Sequence, residues 1–495
     1  MAVSWQHPTS PQAPAGWARW RTLAVGILLT AYFAWFARTA FWANFAPDDL
    51  MNIHYCWRLP AWERVLGPFM LWRPLYRPMA AWFLLPVLSG FGLNPAAFRA
   101  EMLAVLLAGA FLIYGLSLRL GCGERAALLT ALVACYHAGL NNLYYNVAFI
   151  YDALCGFFFV AALFYYVRIR ERGGIPNWRQ TAVFLSLFLA ALDSKEMAVT
   201  LPAVLLLYEW VYHPPGLLWR PRELARWLRG PGRCALAGAG LDLAFVWGRV
   251  EGSGGLAHQP GYHLELSMAR AWDFQLRSFA DLLEKWQYFG RWGIVALWMA
   301  MFAIAWLRKR PVLRFACLFL LVAPLPIEFL SGRAEGCLYL PMLALALFVT
   351  VVFVDAADAA AHVVAWALPA APDFRRLSRA WISGVLVAAG AMCWAYHNDD
   401  LKRRYVDPIT ADFAPATGSA IRQLRAFHLD PRPQSTIAFL NDPFGTWHML
   451  FIAELEFRDR PLNVELNRQT PLSAEEIARA DIVFDYREGR LVRVR

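Results

Sequence analysis

Two adjacent carboxylates, Asp48 and Asp49, lie in the stretch NFAPDDLMNIHY, directly after the first long apolar run of the chain. Two explanations fit their position. Pro47 could begin a helix whose first turn carries both aspartates, an arrangement that the helix dipole favours. Alternatively, one carboxylate could act as a general base, or the pair could bind a divalent cation at the mouth of a membrane cavity. In a helix, Asn52 would lie one turn from Asp48 on the same face, with His54 nearby.

Three arginines lie beside apolar runs in positions that suit phosphate binding. Arg73 and Arg77, in LWRPLYRPMAAWF, precede a short apolar segment, and Arg333 stands near Glu335 in the short turn SGRAEGC. A guanidinium group binds phosphate through a fork of N–H donors. The alternatives remain open, because Arg73 and Arg77 could anchor lipid headgroups and Arg333 could simply belong to a polar turn.

Lys195 and Glu196 stand between two apolar runs with almost no loop, in LDSKEMAVTLP. Lys195 could pair with Glu196 or with Asp193 and have no further role. A lysine in a tight loop beside a cavity could also supply a point charge for a phosphate group.

A carboxylate inside an apolar run is costly and usually faces a cavity or a partner. Asp152 lies about five residues inside such a run, or about 7–8 Å below its boundary at the rise of an α-helix. We expect it to lie in the wall of an active site, beside Tyr151, Asn146 and His137.

The composition indicates that these residues are positioned by membrane helices. The 495 residues are 59% hydrophobic and only 17% charged, whereas soluble domains carry about 25% charged residues. In such a protein the net charge of +10 reports topology, so nucleic-acid binding is not expected. About eleven segments are long and apolar enough to span a membrane: 22–42, 97–118, 126–142, 147–167, 179–193, 196–212, 233–249, 292–307, 312–330, 336–357 and 380–396.

The positive-inside rule orients these spans with the N-terminus in the cytoplasm. With alternating spans, every basic loop cluster falls on the cytoplasmic side, provided that the apolar run 78–91, of about 14 residues, does not span. The outer side then receives 43–97, 140–147, 193–196, 250–291, 331–337 and the last hundred or so residues. The candidate residues from distant loops therefore converge on one membrane face.

The last segment of the chain differs from the rest. Residues 398–495 carry more charge, with strands expected at 435–440, 460–466 and 480–486, helices at 446–457 and 473–479, and a hairpin around Glu488-Gly489. The fold class is therefore mainly α, a polytopic helical bundle with a small C-terminal α/β domain. The expected organisation is a cytoplasmic tail at 1–21, a transmembrane catalytic domain at 22–397 and an extracytoplasmic domain at 398–495.

Taken together, the motifs over residues 20–360 resemble the GT-C class of membrane glycosyltransferases, which use polyprenyl-phosphate-linked sugars. Within this class, the motifs most resemble those of protein O-mannosyltransferases, ArnT and TMTC proteins. The resemblance rests on PDDL, RPLYRPM, FGLNPAAFRAEML, IYDAL, DSKEMAVTLPAVLLLYE and EGCLYLP, in this order. In TMTC-like relatives the last motif carries an arginine where this chain has Gly336.

The resemblance implies roles for the candidate residues. One of Asp48 and Asp49 would be the catalytic base of an inverting transfer. The phosphate of the donor would be bound by Arg73, Arg77, Lys195 and Arg333. The wall of the site would contain Asn52, His54, His137, Tyr151, Asp152, Glu196 and Glu335.

The chemistry that follows requires no cofactor, although a divalent cation (Mg²⁺ or Mn²⁺) at Asp48 and Asp49 is an option. The expected partners are a polyprenyl-phosphate-sugar donor (on undecaprenyl phosphate if the protein is bacterial), a protein, lipid or glycan acceptor, and membrane lipids. The expected location is the bacterial inner membrane, with the C-terminal domain in the periplasm. The competing class is a polytopic lipid or sugar transporter or flippase, which would also carry intramembrane carboxylates.

Overall fold

A computed structural model describes residues 15–71, 76–214, 220–250, 265–283, 290–330, 335–367, 372–458 and 461–495. Within these ranges the chain is mainly helical. The α-helices are α1 (Ala15–Ala37), α2 (Pro47–Arg58), α3 (Ala61–Leu66), α4 (Ala81–Phe91), α5 (Pro95–Arg119), α6 (Glu124–Cys135), α7 (Asn142–Tyr145), α8 (Ile150–Arg170), α9 (Trp178–Ser194), α10 (Leu201–Tyr212), α11 (Pro221–Arg229), α12 (Arg233–Val250), α13 (Met268–Leu283), α14 (Gly290–Leu307), α15 (Pro311–Val322), α16 (Leu325–Glu328), α17 (Tyr339–Ala367), α18 (Pro372–Leu401), α19 (Asp407–Ala411), α20 (Pro415–Ala426), α21 (His448–Phe457) and α22 (Ala474–Arg479). The four strands are β1 (Thr436–Phe439), β2 (Asn463–Leu466), β3 (Ile482–Arg487) and β4 (Arg490–Arg493).

A helix lies at each segment expected to span the membrane. Seven helical segments of the described chain are long and apolar enough to do so by themselves. They are Trp20–Trp42, Pro95–Arg119, Val147–Arg170, Gly290–Leu307, Pro311–Glu328, Tyr339–Ala367 and Pro372–Ala426. The expected spans 126–142, 179–193, 196–212 and 233–249 correspond to α6, α9, α10 and α12, so the count of eleven stays a prediction. The segment Pro78–Phe91 is a shorter apolar helix, in agreement with the short length of the run 78–91.

Local sequence explains where the helices that carry the site begin. Helix α9 starts with a capping box in which Asn177 and Gln180 each accept a hydrogen bond from the other's backbone N–H, both at 2.9 Å. Helix α2 has Pro47 in its first turn, where the missing N–H costs nothing. The helix start predicted for the two aspartates is therefore confirmed.

Helix α8 is central to the bundle and packs between α5 and α9. It is buried along most of its length, and its Phe159 ring stacks on Phe319 with ring centroids 5.9 Å apart. The first turn of α8 carries Asp152, and its last turn carries Arg170. The two ends of one rigid, buried helix therefore hold charged groups about 27 Å apart, at 1.5 Å per residue.

The C-terminal segment forms the expected α/β unit. The sheet order is β2-β1-β3-β4, with β1 parallel to both β2 and β3 and with β3 antiparallel to β4. The hairpin turn is Glu488-Gly489, and both residues have positive φ (49° and 79°), as a tight two-residue hairpin turn requires. Helix α18 runs without a break through residue 398 to Leu401, so it connects the bundle to this unit directly.

Candidate functional site

The two aspartates of α2 have different environments. Asp49 is fully buried, and its Oδ2 accepts a hydrogen bond from the Ala46 N–H at 2.8 Å while Oδ1 accepts one from the Ala148 N–H at 2.6 Å. Asp48 is exposed, and within the described residues its carboxylate accepts no hydrogen bond. Asp49 thus caps its own helix and ties it to the segment before α8, whereas Asp48 is accessible to a ligand.

Asp49 also lies in the field of a buried arginine. Burial raises the pKa of Asp49 to about 7, and the charge of Arg99 and the two backbone donors oppose this increase. Arg99 is completely buried and donates hydrogen bonds to the carbonyls of Ala43, Asn44 and Tyr145. No role was predicted for Arg99, although a charged residue inside an apolar run was the signal that could have identified it.

Asp152 and Lys195 form a buried ion pair. Their side chains are only 5% and 10% exposed, and Lys195 Nζ contacts Asp152 Oδ1 and lies 3.2 Å from Cys337 Sγ. Asp152 lies in the first turn of α8, and Lys195 follows the last residue of α9. Of the partners considered for Lys195, the structure selects neither Glu196 nor Asp193 but a carboxylate 43 residues away.

A second ion pair, between Arg77 and Glu196, lies beside the first. Arg77 Nη2 donates to Glu196 Oε2 at 3.0 Å, and the Arg77 guanidinium lies 4.6 Å from the ring centroid of Tyr76 and 5.0 Å from that of Tyr151. Tyr151 in turn donates to Asn52 Oδ1 at 3.1 Å. These contacts connect the second ion pair to α2, the helix that carries the two aspartates.

The two cations are close enough for their charges to act on each other. Arg77 has a φ of 46°, a left-handed conformation that is unusual for a residue before proline. Strained backbone of this kind is found at ligand-binding sites, where the surrounding structure maintains it. The structure therefore gathers two cations and two carboxylates from three separate segments into one largely buried cluster.

Two histidines expected in the site wall make other contacts. His54 Nε2 lies 2.8 Å from Glu454 Oε2, in helix α21 of the C-terminal unit. His137 Nε2 lies 3.0 Å from the carbonyl oxygen of Leu282, and its Nδ1 accepts from the Gly139 N–H at 3.1 Å. His54 thus contributes to docking of the C-terminal unit, and His137 joins the end of α6 to α13.

Two of the expected phosphate ligands lie outside the described residues. Arg73 belongs to 72–75 and Arg333 to 331–334. Glu335 begins a short 3₁₀ turn, Glu335–Leu338, that leads into α17. The predicted roles of these three residues stay predictions.

No group of three or more His, Cys, Asp and Glu side chains close enough to hold a metal ion occurs in the described part of the chain. At Asp49 both oxygens already accept backbone N–H donors. Such donors compete with a cation for the same lone pairs, so this carboxylate is a poor ligand for the cation considered above.

Comparison with known proteins finds similar solved structures but no match by sequence. No family model matches the chain, and no curated protein matches it. The crystal structure of ArnT from Cupriavidus metallidurans in the apo state matches with a TM-score of 0.51 and 15% identity, over 91% of this chain and 86% of that chain. The structure of the same ArnT bound to undecaprenyl phosphate matches with a TM-score of 0.50 and 16% identity, over 97% and 98% of the two chains. The chain therefore has the fold of these ArnT structures, one of the branches whose motifs the sequence resembles.

Proposed function

We propose that this protein is a membrane glycosyltransferase that moves a sugar from a polyprenyl-phosphate donor to an acceptor hydroxyl group. One observation carries the proposal: Arg77, which is buried in one cluster with Lys195, packs on Tyr151, and Tyr151 donates to Asn52 of α2, the helix whose first turn presents the exposed carboxylate of Asp48. Phosphate binding and proton removal are the two tasks of this reaction. The similarity to ArnT, one structure of which holds undecaprenyl phosphate, supports this donor class.

The cation cluster would hold the donor phosphate. Within this cluster Asp152 pairs with Lys195, and Glu196 pairs with Arg77. Each cation can still donate to a further acceptor, because an ammonium group has three N–H donors and a guanidinium group has five. A phosphate oxygen can therefore bind the same cations while the carboxylates keep them in place. Arg73 and Arg333 would add further donors.

Asp48 would act as the general base. It removes the proton from the acceptor hydroxyl as the acceptor oxygen bonds to the anomeric carbon from the face opposite the phosphate. The bond between the anomeric carbon and the phosphate oxygen breaks, and its electron pair leaves with the polyprenyl phosphate. The neighbouring cations stabilise that developing charge. Inversion follows from a single displacement.

Asp49 has a positioning role in this proposal. Its two backbone hydrogen bonds fix the first turn of α2 against the start of α8, and so set the distance between the base and the phosphate site. Asn52 and Tyr151 reinforce the same junction. No step is assigned to a metal ion.

The donor lipid explains why such a site lies at the end of a membrane bundle. A polyprenyl chain keeps its phosphate at the membrane surface, so the donor phosphate must have access to the cations from the lipid side. We place this end on the periplasmic side of a bacterial inner membrane, because the basic clusters lie at the other end. There Arg119 contacts Glu171, Arg125 contacts Asp358 and Arg310 contacts Asp355. Undecaprenyl phosphate is then the proposed carrier.

The proposal can be tested with the purified protein in nanodiscs. Native mass spectrometry would measure undecaprenyl phosphate binding, and a radiolabelled undecaprenyl-phosphate hexose or pentose would report transfer to an envelope extract from a strain lacking the protein. Labelled acceptor should form with wild type and not with Asp48→Asn. A flippase would instead move the intact labelled lipid across a proteoliposome membrane without cleaving it, and that result would replace the proposal.

A further inference from the structure

Helix α21 of the C-terminal unit is fastened along α2 by buried polar contacts. Glu454 is 3% exposed, and its carboxylate lies 2.8 Å from His54 Nε2 and 3.0 Å from Arg58 Nη1. The His54 ring also lies 4.9 Å from that of Phe451. Arg458, directly after α21, adds a contact to the neighbouring helix α4, because its Nη2 donates to the Leu88 carbonyl at 2.9 Å. A carboxylate buried between two basic groups fixes one register between the helices, because any slip would leave its charge unpaired.

This register places the first turn of α21 beside the first turn of α2. His448 precedes Glu454 by six residues, and Asp48 precedes His54 by six. The contact of His54 with Glu454 and the action of the Asp48 charge on His448 together indicate that the two helices run in the same direction, with equal displacements of about 9 Å along each. The Asp48 charge accordingly acts on the His448 imidazole.

The surroundings of His448 suit the recognition of a hydroxyl group. Its Nδ1 is hydrogen-bonded to Thr446 Oγ1, and within the described residues its Nε2 has no hydrogen-bond partner. Burial lowers the pKa of His448, against the opposing charges of Asp48 and Asp442. A neutral imidazole at pH 7 keeps one nitrogen that donates and one that accepts. The preceding residue, Trp447, is half exposed and offers an accessible aromatic surface in the same part of the chain.

We propose that the C-terminal domain forms the acceptor side of the active site, and that His448 binds the acceptor and directs its hydroxyl group at Asp48. The inference rests on the proposed function and deepens it. The phosphate-binding cations come from the bundle, whereas the acceptor-binding residue comes from a separate folding unit. Acceptor choice is then set by the C-terminal domain, independently of donor choice.

Steady-state kinetics separate the two substrates. Transfer from labelled undecaprenyl-phosphate sugar is measured while the envelope extract from the strain lacking the protein is titrated as acceptor, and then while the donor is titrated. His448→Ala should raise the apparent acceptor KM about tenfold, which corresponds to about 1.4 kcal/mol, with the donor KM unchanged. His448→Gln should recover part of the loss, because an amide both donates and accepts. His428→Ala, an exposed histidine of the same domain, is the matched control and should behave as wild type.

The outcomes distinguish this inference from the function on which it rests. An acceptor KM unchanged in His448→Ala, with normal transfer by wild type, overturns the inference and leaves the function standing. Failure of wild type to transfer any sugar overturns both. If His448→Ala does not fold, Thr446→Val decides the question, because it removes only the exposed hydroxyl that holds Nδ1. This variant should raise the acceptor KM and not the donor KM, and an unchanged acceptor KM would again overturn the inference.

Discussion

Removing the cation of the Asp152–Lys195 pair should affect stability and transfer in ways that can be separated. The variant Lys195→Met keeps the length of the side chain and loses its charge. Asp152, with a side chain only 5% exposed, is then left as an uncompensated buried carboxylate. Breaking a buried ion pair from one side costs about 3–5 kcal/mol. We expect a clear fall in the thermal unfolding temperature together with loss of transfer.

The double variant Asp152→Asn/Lys195→Met distinguishes the two effects. It removes both charges and so leaves no uncompensated buried charge, which is the main cost in the single variant. Most of the unfolding temperature should therefore return. Transfer should not return, because the donor phosphate still lacks its cation.

The Arg170–Glu209 pair provides a matched control at the other end of α8. Its side chains are 7% and 1% exposed, with Nε and Oε1 2.7 Å apart. Glu209→Gln should cost stability on the same scale but leave transfer per folded molecule unchanged, because no part of the proposed site lies there. Unfolding can be followed by tryptophan fluorescence in detergent, and transfer by labelled donor normalised to folded protein. Wild-type transfer by the double variant, or equal loss of transfer in Glu209→Gln, would refute the assignment of Lys195 to phosphate.

Three further predictions concern α2 and the domain docked on it. Asp48→Asn should abolish transfer with no change in unfolding temperature, because this side chain is exposed. Asp49→Ala should lower the unfolding temperature, because it leaves two backbone N–H donors unsatisfied, at about 1–3 kcal/mol each. Since burial raises the pKa of Asp49 from 3.8 to about 7, the unfolded state loses this proton first as pH rises. The stability of wild type relative to Asp49→Asn should therefore fall between about pH 4 and 7, and a pH-independent difference in urea unfolding would contradict this. Glu454→Ala should speed proteolytic release of the C-terminal domain. Glu456→Ala should have little effect on release, because it breaks a pair with Arg425 that lies within the C-terminal unit, between α21 and α20.

The element types could be predicted from sequence because their signals are local. The apolar runs correspond to helices, and the alternating runs at 435–440 and 480–486 correspond to β1 and β3. The lengths of individual spans were less predictable, since α6 ends at Cys135, well before the end of the apolar run. There the chain leaves the helix at Tyr136 and His137, whose backbone is extended.

Membership of the site was only partly predictable. Asp152, Lys195, Arg77 and Glu196 were all expected near one another, and the structure places them in one cluster. Their pairing was not expected, because it depends on how the start of α8 meets the end of α9. The contribution of Glu454 had no local signal at all, since it pairs with a histidine 400 residues away.

The sequence by itself determined that the protein is a helical membrane bundle with a small α/β unit, and that its polar motifs lie at one end. Hydropathy and charge act on each segment independently, so they can be recognised without knowing the fold. Only the tertiary structure decided which of two adjacent aspartates is accessible, because the Ala148 N–H that engages Asp49 belongs to another segment. It alone brought the C-terminal domain to that same helix. Both outcomes depend on packing between distant segments, where burial turns a single hydrogen bond or ion pair into a fixed position.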